Sequence, residues 1–227
     1  MTTRSRETLL VPGMLCDPDL WSGVDVPGVS GVPVAITEPT ITGMAEQVLA
    51  AADGPFTLVG LSLGAIVGFE VLRLAPERVT AFCAISTNSG APTEAQLSGW
   101  SSMAERTERG EFDAVVRDIL PAMFAEEGHD ERFLGMAHRT GPDVFRAQLA
   151  AQATRVDGAA ALGASPCPVL AVCGSADALC PVGFHRRIAG TAPGGRLRVI
   201  PGAGHLLPIE RPRVLAHVLR EWLDELS

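Results

Sequence analysis

Short runs of apolar residues alternate with amphipathic segments along most of the chain. Runs such as residues 169–172 are apolar without alternation, which is typical of strands buried on both faces of a sheet. The pattern predicts about six strands, at residues 8–11, 32–37, 56–60, 79–86, 169–173 and 197–200. Because helical segments separate these strands, the predicted fold class is α/β, with a mostly parallel, doubly wound sheet.

The longest interval between strands, residues 89–160, has a helical periodicity. Across residues 112–124, apolar side chains recur at the spacing of one helix face, although Pro121 is expected to break that helix. We therefore predict a helical lid, inserted after the fourth strand. Residues 1–88 and 161–227 are predicted to form the core of the same single domain.

Two more helices are indicated by their ends and their apolar stripes. Pro142 suits the first turn of a helix within the predicted lid, because its fixed φ is already helical. Residues 214–226 carry apolar side chains at helical spacing, which predicts a final helix.

Composition limits the partners that we expect. The net charge is −8, with a pI near 5.1, and the sequence has no basic run, so nucleic acid is not an expected partner. Residues 1–7 are polar and lack the apolar core of a signal peptide. The longest apolar stretch, residues 56–69, is too short to cross a bilayer. We expect a cytoplasmic protein that binds neither nucleic acid nor membrane, and the oligomeric state stays open.

The cysteines do not predict a metal site. They lie at positions 16, 83, 167, 173 and 180, an odd number with no spacing that fits zinc. Cys83 and Cys173 fall inside predicted strands and are interpreted as packing residues. Cys16 and Cys180 lie near loops that carry candidate chemistry, where they could line a pocket.

Ser62 lies in the sequence Gly60-Leu61-Ser62-Leu63-Gly64, between a predicted strand and a predicted helix. This is the G-x-S-x-G pattern of a nucleophile elbow, a strained turn that exposes a serine hydroxyl at the start of a helix. The pentapeptide alone is a weak signal in a chain with 24 glycines. Its position between strand and helix makes it a strong one.

Asp177 and His205 follow the last two predicted strands. Active sites of parallel sheets form at the carboxyl ends of the strands, so both side chains are expected near Ser62. A histidine there can take the serine proton, and an aspartate can orient the imidazole. Asp157 and Glu210 are the competing acids, and we interpret both as structural.

The order serine, aspartate, histidine, together with four sequence blocks, resembles the α/β-hydrolase fold family, in its compact esterase, lactonase and C–C hydrolase type. The blocks are Leu9 to Met14, Gly60 to Gly64, Gly174 to Pro181 and Gly202 to Pro212. Residues 89–160 resemble the helical cap of that family only loosely. The resemblance implies a catalytic triad of Ser62, Asp177 and His205, with no cofactor and no metal.

The resemblance also implies an oxyanion hole made of backbone N–H groups. Leu63 follows the nucleophile and supplies one donor, and Met14, after Pro12-Gly13, supplies the other. Pro12 stands where the family often has histidine, which removes a common supporting hydrogen bond. For the substrate pocket we predict five lid residues: Trp100, Met123, Phe124, His138 and Phe145.

These features favour a serine hydrolase that cleaves a small or medium, apolar carboxylic ester, lactone or thioester through an acyl-enzyme on Ser62. Two alternatives remain open. One is hydrolysis of a C–C bond in a β-diketone or ring-cleavage product by the same residues. The other is a non-catalytic ligand-binding or signalling protein on the same fold, because fold alone does not settle function.

Overall fold

Six parallel strands form one sheet in the computed structural model, which describes residues 7–26 and 30–226. The order across the sheet is β2-β1-β3-β4-β5-β6. The strands are β1 (Glu7–Val11), β2 (Ser30–Pro33), β3 (Phe56–Leu61), β4 (Val79–Ile85), β5 (Val169–Gly174) and β6 (Arg196–Ile200). The predicted α/β class and the six strands are therefore confirmed.

α-Helices connect the strands from β2 onward, and a short 3-10 helix at Pro18–Trp21 follows β1. Four of the helices lie between β4 and β5, in the interval for which we predicted helices. The helices are α1 (Ile41–Ala50), α2 (Leu63–Leu74), α3 (Glu94–Glu108), α4 (Phe112–Ile119), α5 (Asp130–Thr154), α6 (Ala159–Gly163), α7 (Val182–Thr191), α8 (Leu207–Glu210) and α9 (Pro212–Asp224). We refer to residues 89–160, which contain α3, α4 and α5, as the insertion.

Pro121 and Pro142, the two prolines singled out in the insertion, act as the sequence predicts. The helix α4 ends at Ile119, two residues before Pro121. The helix α5 is kinked at Gly141, which has a φ of 77° and a ψ of 166°, and Pro142 begins the second half of the helix.

The core lies on both faces of the sheet. Successive residues of a strand point to opposite faces, so Leu58 and Phe82 pack with α1, α2 and α7, while Val59 and Cys83 pack on the other face. That second face is covered by the insertion and by α9. All six residues of β3 are buried, as the continuous apolar run predicts.

The second strand differs from its prediction. It occupies Ser30–Pro33 rather than residues 32–37, and it pairs with β1 at the edge of the sheet. Proline is tolerated on an edge strand because one side of that strand needs no hydrogen bond. The pairing ends just beyond Pro33, where the Val34 N–H donates to the Leu10 carbonyl at 3.0 Å.

The order of the strands positions the functional end of the sheet. From β1 the chain first moves to β2 on one side and then returns to β3 on the other side. In open parallel sheets a crevice forms at such a reversal, beyond the carboxyl ends of the strands. The loops after β1 and β3 therefore border the expected binding site.

The close approach of Gly174, at the end of β5, to the backbone of Ala203 leads to a prediction about stability. A Cβ at Gly174 would lie 2.0 Å from the carbonyl oxygen of Ala203, so Gly174→Ala must push two backbone segments apart. We expect a loss of about 2–3 kcal/mol in the free energy of unfolding, measured by urea denaturation. The control is Gly183→Ala in α7, where a Cβ meets no atom within 4 Å. Equal stability of the two variants would contradict the prediction.

Candidate active site

Three strands are each followed, within four residues, by a residue whose backbone is strained. Leu15, Ser62 and Ser86 have φ values of 62°, 53° and 47°, and they are the non-glycine residues with positive φ in the described part of the chain. They follow β1, β3 and β4, which are neighbours in the sheet. Such conformations cost of order 1–3 kcal/mol each and concentrate at functional sites. Their clustering at one end of the sheet indicates a site there.

The turn at Ser62 is enforced by close backbone contacts. A Cβ at Gly60 would lie 2.6 Å from the Ala65 nitrogen, and a Cβ at Gly64 would lie 2.3 Å from the Val11 carbonyl oxygen. Ser62 stands at the N-terminus of α2 with φ 53° and ψ −112°. Glycine on both sides lets strand and helix approach closely, which leaves Ser62 half-buried between two fully buried leucines.

Two hydrogen bonds hold the backbone of Ser62 in this conformation. Its N–H donates to the Ile85 carbonyl at 2.8 Å. Its carbonyl accepts from the Thr87 hydroxyl at 3.0 Å. Thr87 is itself fixed, because its N–H donates to Nε2 of the buried His185 at 2.9 Å. The segment after β4 therefore supports the turn after β3.

Asp177 and His205 form a buried pair. The Nδ1 atom of His205 lies 3.0 Å from Oδ2 and 3.1 Å from Oδ1 of Asp177. Because an ionised carboxylate only accepts hydrogen bonds, this contact assigns the proton to Nδ1 and leaves Nε2 as the acceptor of the ring. Asp177 Oδ1 also accepts from the N–H groups of Leu179 and Cys180, at 2.9 and 2.8 Å.

The pair shifts both pKa values toward the charged forms. Burial raises the pKa of Asp177, but the hydrogen bonds from His205, Cys180 and Leu179 outweigh burial and hold that pKa below its usual range. Burial lowers the pKa of His205, but the contact with Asp177, aided by Cys180, outweighs it and raises the pKa to about 10. The arrangement thus stabilises an imidazolium ion beside an aspartate.

Ser62 and His205 line the same cavity, which has a volume of about 360 Å³. Met14 and Leu15 border it from the loop after β1, and the insertion contributes apolar side chains that include Trp100, Met103, Met123 and Phe133. Among the residues predicted for the site, the structure thus brings Ser62, His205, Met14, Trp100 and Met123 to one cavity. Leu63 begins α2, directly after Ser62, and its side chain is fully buried.

Three residues predicted for the pocket are not among the described residues that border the cavity. Phe145 is fully buried in the packing between the insertion and the sheet. His138 is exposed, and its Nε2 lies 3.1 Å from Asp113. Phe124 packs against the rings of His129 and Phe133. Residues on one apolar helix face can either pack in the core or border the cavity, and periodicity alone does not tell the two apart.

Glu210 is a supporting residue that bridges the core and the insertion. Its buried carboxylate accepts from the Gly204 N–H at 2.5 Å, the Ala125 N–H at 2.8 Å and the Glu126 N–H at 3.1 Å. Gly204 directly precedes His205, so Glu210 fixes the loop that carries the histidine. The structural role predicted for Glu210 fits these contacts.

Gln148 is a second supporting residue, and the sequence analysis missed it. It lies in α5, fully within the insertion, and its Oε1 accepts from the Leu15 N–H at 3.0 Å. Its Nε2 donates to the Ile36 carbonyl at 3.3 Å. A glutamine among apolar helix positions was the available signal, since buried amides need partners. This contact holds the strained loop that contains Met14.

One group of described side chains has the composition of a metal site. Asp177, Cys180 and His205 offer ligand atoms that all lie within 4.8 Å of one another. Both oxygens of the Asp177 carboxylate already accept hydrogen bonds, from His205 and from the N–H groups of Leu179 and Cys180.

Among the helices of the described ranges, none combines the length and apolar character needed to cross a lipid bilayer.

Known proteins of similar structure include several hydrolases. An esterase from Thermogutta terrifontis superposes with a TM-score of 0.85 at 25% identity, over 97% of this chain and 90% of the esterase. The enol-lactonase from Burkholderia xenovorans LB400 superposes with a TM-score of 0.84 at 16% identity, over 99% of this chain and 94% of that one. The second likeness shows the fold alone.

Similarity in sequence leads to the same family. The chain is 25% identical over 207 residues to the biotin biosynthesis bifunctional protein of Teredinibacter turnerae. The aligned region covers 80% of this chain and 35% of that protein. The match thus spans about a third of the length of that relative. The model of the alpha/beta hydrolase family matches residues 12–218, nearly the whole sequence. Together with the six-stranded parallel sheet, this match shows that the chain belongs to the alpha/beta hydrolase family, and the likeness to the esterase supports a hydrolase.

Proposed function

We propose that the protein is a serine hydrolase that cleaves a carboxylic ester, lactone or thioester of small or medium size through an acyl-enzyme on Ser62. One observation carries the proposal. Ser62, on a strained turn, and His205, hydrogen-bonded to Asp177, line one cavity at the carboxyl end of the sheet. The likeness to an esterase of known structure supports the same reaction class.

The proposed reaction begins with attack of the Ser62 hydroxyl on the substrate carbonyl. His205 takes the hydroxyl proton at Nε2, because Nδ1 already carries the proton that forms the hydrogen bond to Asp177. The backbone N–H groups of Met14 and Leu63 stabilise the oxyanion. Collapse of the tetrahedral intermediate expels the alcohol or thiol, which receives the proton from His205.

Deacylation repeats these steps with water as the nucleophile. His205 removes a proton from the water, the water attacks the acyl-enzyme, and the acid leaves as Ser62 regains its proton. The cavity is bordered largely by apolar side chains, such as Met103, Met123 and Phe133, which favour the organic part of an ester over bulk water.

The nucleophile can be tested by covalent labelling. A fluorophosphonate probe is expected to modify the protein once, because only an activated serine reacts, and peptide mapping should assign the adduct to Ser62. Ser62→Ala should abolish both labelling and hydrolysis of p-nitrophenyl esters. Labelling that survives this substitution would contradict the assignment, and labelling without turnover would favour a non-catalytic binder.

The acid can be tested by comparing two aspartates. Asp177→Asn is expected to reduce kcat by up to about 10⁴-fold, because an amide favours the wrong tautomer of His205. Asp157 is the matched control, since it is exposed and pairs with Arg187 at 2.8 Å. Asp157→Asn should leave kcat within a factor of about three. A larger loss of kcat in Asp157→Asn than in Asp177→Asn would show that Asp177 is not the acid that orients His205.

The pKa of His205 predicts a dependence of activity on pH. His205 must be neutral to accept the serine proton, and its pKa is raised from 6.5 to about 10. The value of kcat/KM should therefore increase as the pH rises through this range. Asp177→Asn removes a contact that raises this pKa, so the remaining activity should level off at lower pH. A profile that is flat above pH 6.5 in the unmodified protein would contradict the prediction.

A further inference from the structure

The cavity contains a cationic group that an apolar substrate does not explain. Arg155 follows the last residue of α5, is only 5% exposed and lines the cavity together with Ser62 and His205. Arginine is rarely buried without a partner of opposite charge, because removing a cation from water costs several kcal/mol. The surroundings of this guanidinium therefore require an explanation.

Neutral groups accept the side-chain hydrogen bonds that Arg155 makes within the described part of the chain. Its Nη1 donates to Gln152 Oε1 at 3.2 Å, and its Nη2 donates to Gln96 Oε1 at 3.0 Å. The guanidinium lies over the ring of Trp100, 5.2 Å from the centroid. Its Nε is buried and has no hydrogen-bond partner there. Two of the five N–H groups are thus used, and none of the described carboxylates forms an ion pair with this guanidinium.

Other arginines near Arg155 do have acidic partners. Arg106 lines the same cavity, but it is paired with Glu111 at 2.9 Å and with Asp118 at 2.8 Å. Asp157, only two residues beyond Arg155, pairs instead with Arg187. Burial lowers the pKa of Arg155, yet a guanidinium stays protonated in proteins, so the positive charge remains.

The contacts that Arg155 does make hold it ready for a ligand. The two glutamines fix the plane of the guanidinium, and stacking on Trp100 restricts it further. A planar, fixed guanidinium matches the geometry of a carboxylate, which accepts two parallel hydrogen bonds. A carboxylate would also supply the missing negative charge.

We propose that Arg155 binds a carboxylate of the substrate, so that the enzyme prefers esters that carry a second, ionised carboxyl group away from the bond that is cleaved. The inference rests on the proposed hydrolysis at Ser62 and narrows its substrate class. The apolar walls hold the carbon chain between the two functional groups, and Arg155 fixes its far end. Gln96, Gln152 and Trp100 act as positioning residues for Arg155.

The preference can be measured with esters of matched shape. Monomethyl adipate carries a terminal carboxylate, and methyl 6-methylheptanoate carries an isopropyl group of similar shape in its place. A second pair, 6-acetoxyhexanoate and the acetate of 6-methylheptanol, moves the carboxylate to the alcohol part. We expect a higher kcat/KM for the carboxylate member of at least one pair.

Arg155→Met removes the charge and keeps much of the side-chain volume. It should lower kcat/KM for the preferred carboxylate ester roughly 10- to 100-fold and change that for the neutral ester by less than about threefold. The control is Arg146→Met, which removes the same charge from an exposed position of α5 that pairs with Glu108. This variant should retain the preference. Because the lost charge is buried and unpaired, the melting temperature of Arg155→Met should be no lower than that of the parent protein.

Binding without turnover separates this inference from the proposed function. In the Ser62→Ala background, calorimetry should detect tighter binding of the carboxylate ester than of the neutral ester, and adding Arg155→Met should remove the difference. If the parent protein hydrolyses both members of each pair equally and Arg155→Met changes nothing, Arg155 is not a substrate site, although hydrolysis stands. If no ester is cleaved but the carboxylate ester binds through Arg155, the carboxylate site stands and the proposed reaction fails.

Discussion

The arrangement of the site depends on how closely the first turn of α2 approaches the ends of β1 and β3. The carbonyl oxygen of Val11 occupies the place that a Cβ of residue 64 would take, and the backbone of residues 64–65 does the same at residue 60. With no side chain between strand and helix, the chain must reverse within one residue, and Ser62 takes a conformation that L-residues rarely adopt. The same closeness aims the first N–H groups of α2 at the cavity.

The strain of this turn is balanced by contacts from other parts of the chain. The segment after β4 supports Ser62 through Ile85 and Thr87, and α5 supports the loop after β1 through Gln148. Glu210 does the same for the loop of His205. These bonds link distant residues, so the site forms only when the sheet and the insertion are both in place. Local strain is thus maintained by tertiary structure.

Local sequence patterns predicted most of the fold and the three proposed catalytic residues. Apolar runs located the strands, and Ser62, Asp177 and His205 each follow a strand end, where parallel sheets gather their functional side chains. The pocket was less predictable. Phe145 and Trp100 have similar chemistry and helical surroundings, but one packs in the core and the other lines the cavity. Only the docking of the insertion on the sheet decides between them.

Arg155 illustrates the same limit. At the end of a helix, an arginine ordinarily faces solvent and interacts with the helix dipole. Its burial depends on Gln96 and Trp100, more than fifty residues earlier in the chain. The absence of an acidic partner is equally a property of the tertiary structure, because Asp157 is close in sequence but turned toward Arg187.

The contacts of Glu210 also determine how the insertion can move. Its carboxylate binds the N–H groups of residues 125 and 126, and the Leu206 N–H donates to the Met123 carbonyl at 2.9 Å. Each such bond contributes about 0.5–1.5 kcal/mol, or about 1.5–3 kcal/mol when one partner is charged. The insertion is therefore fastened to the same short loop that carries His205. Any swing that lifted residues 123–126 would pull on the loop that carries His205, so this end of the insertion behaves as a fixed pivot.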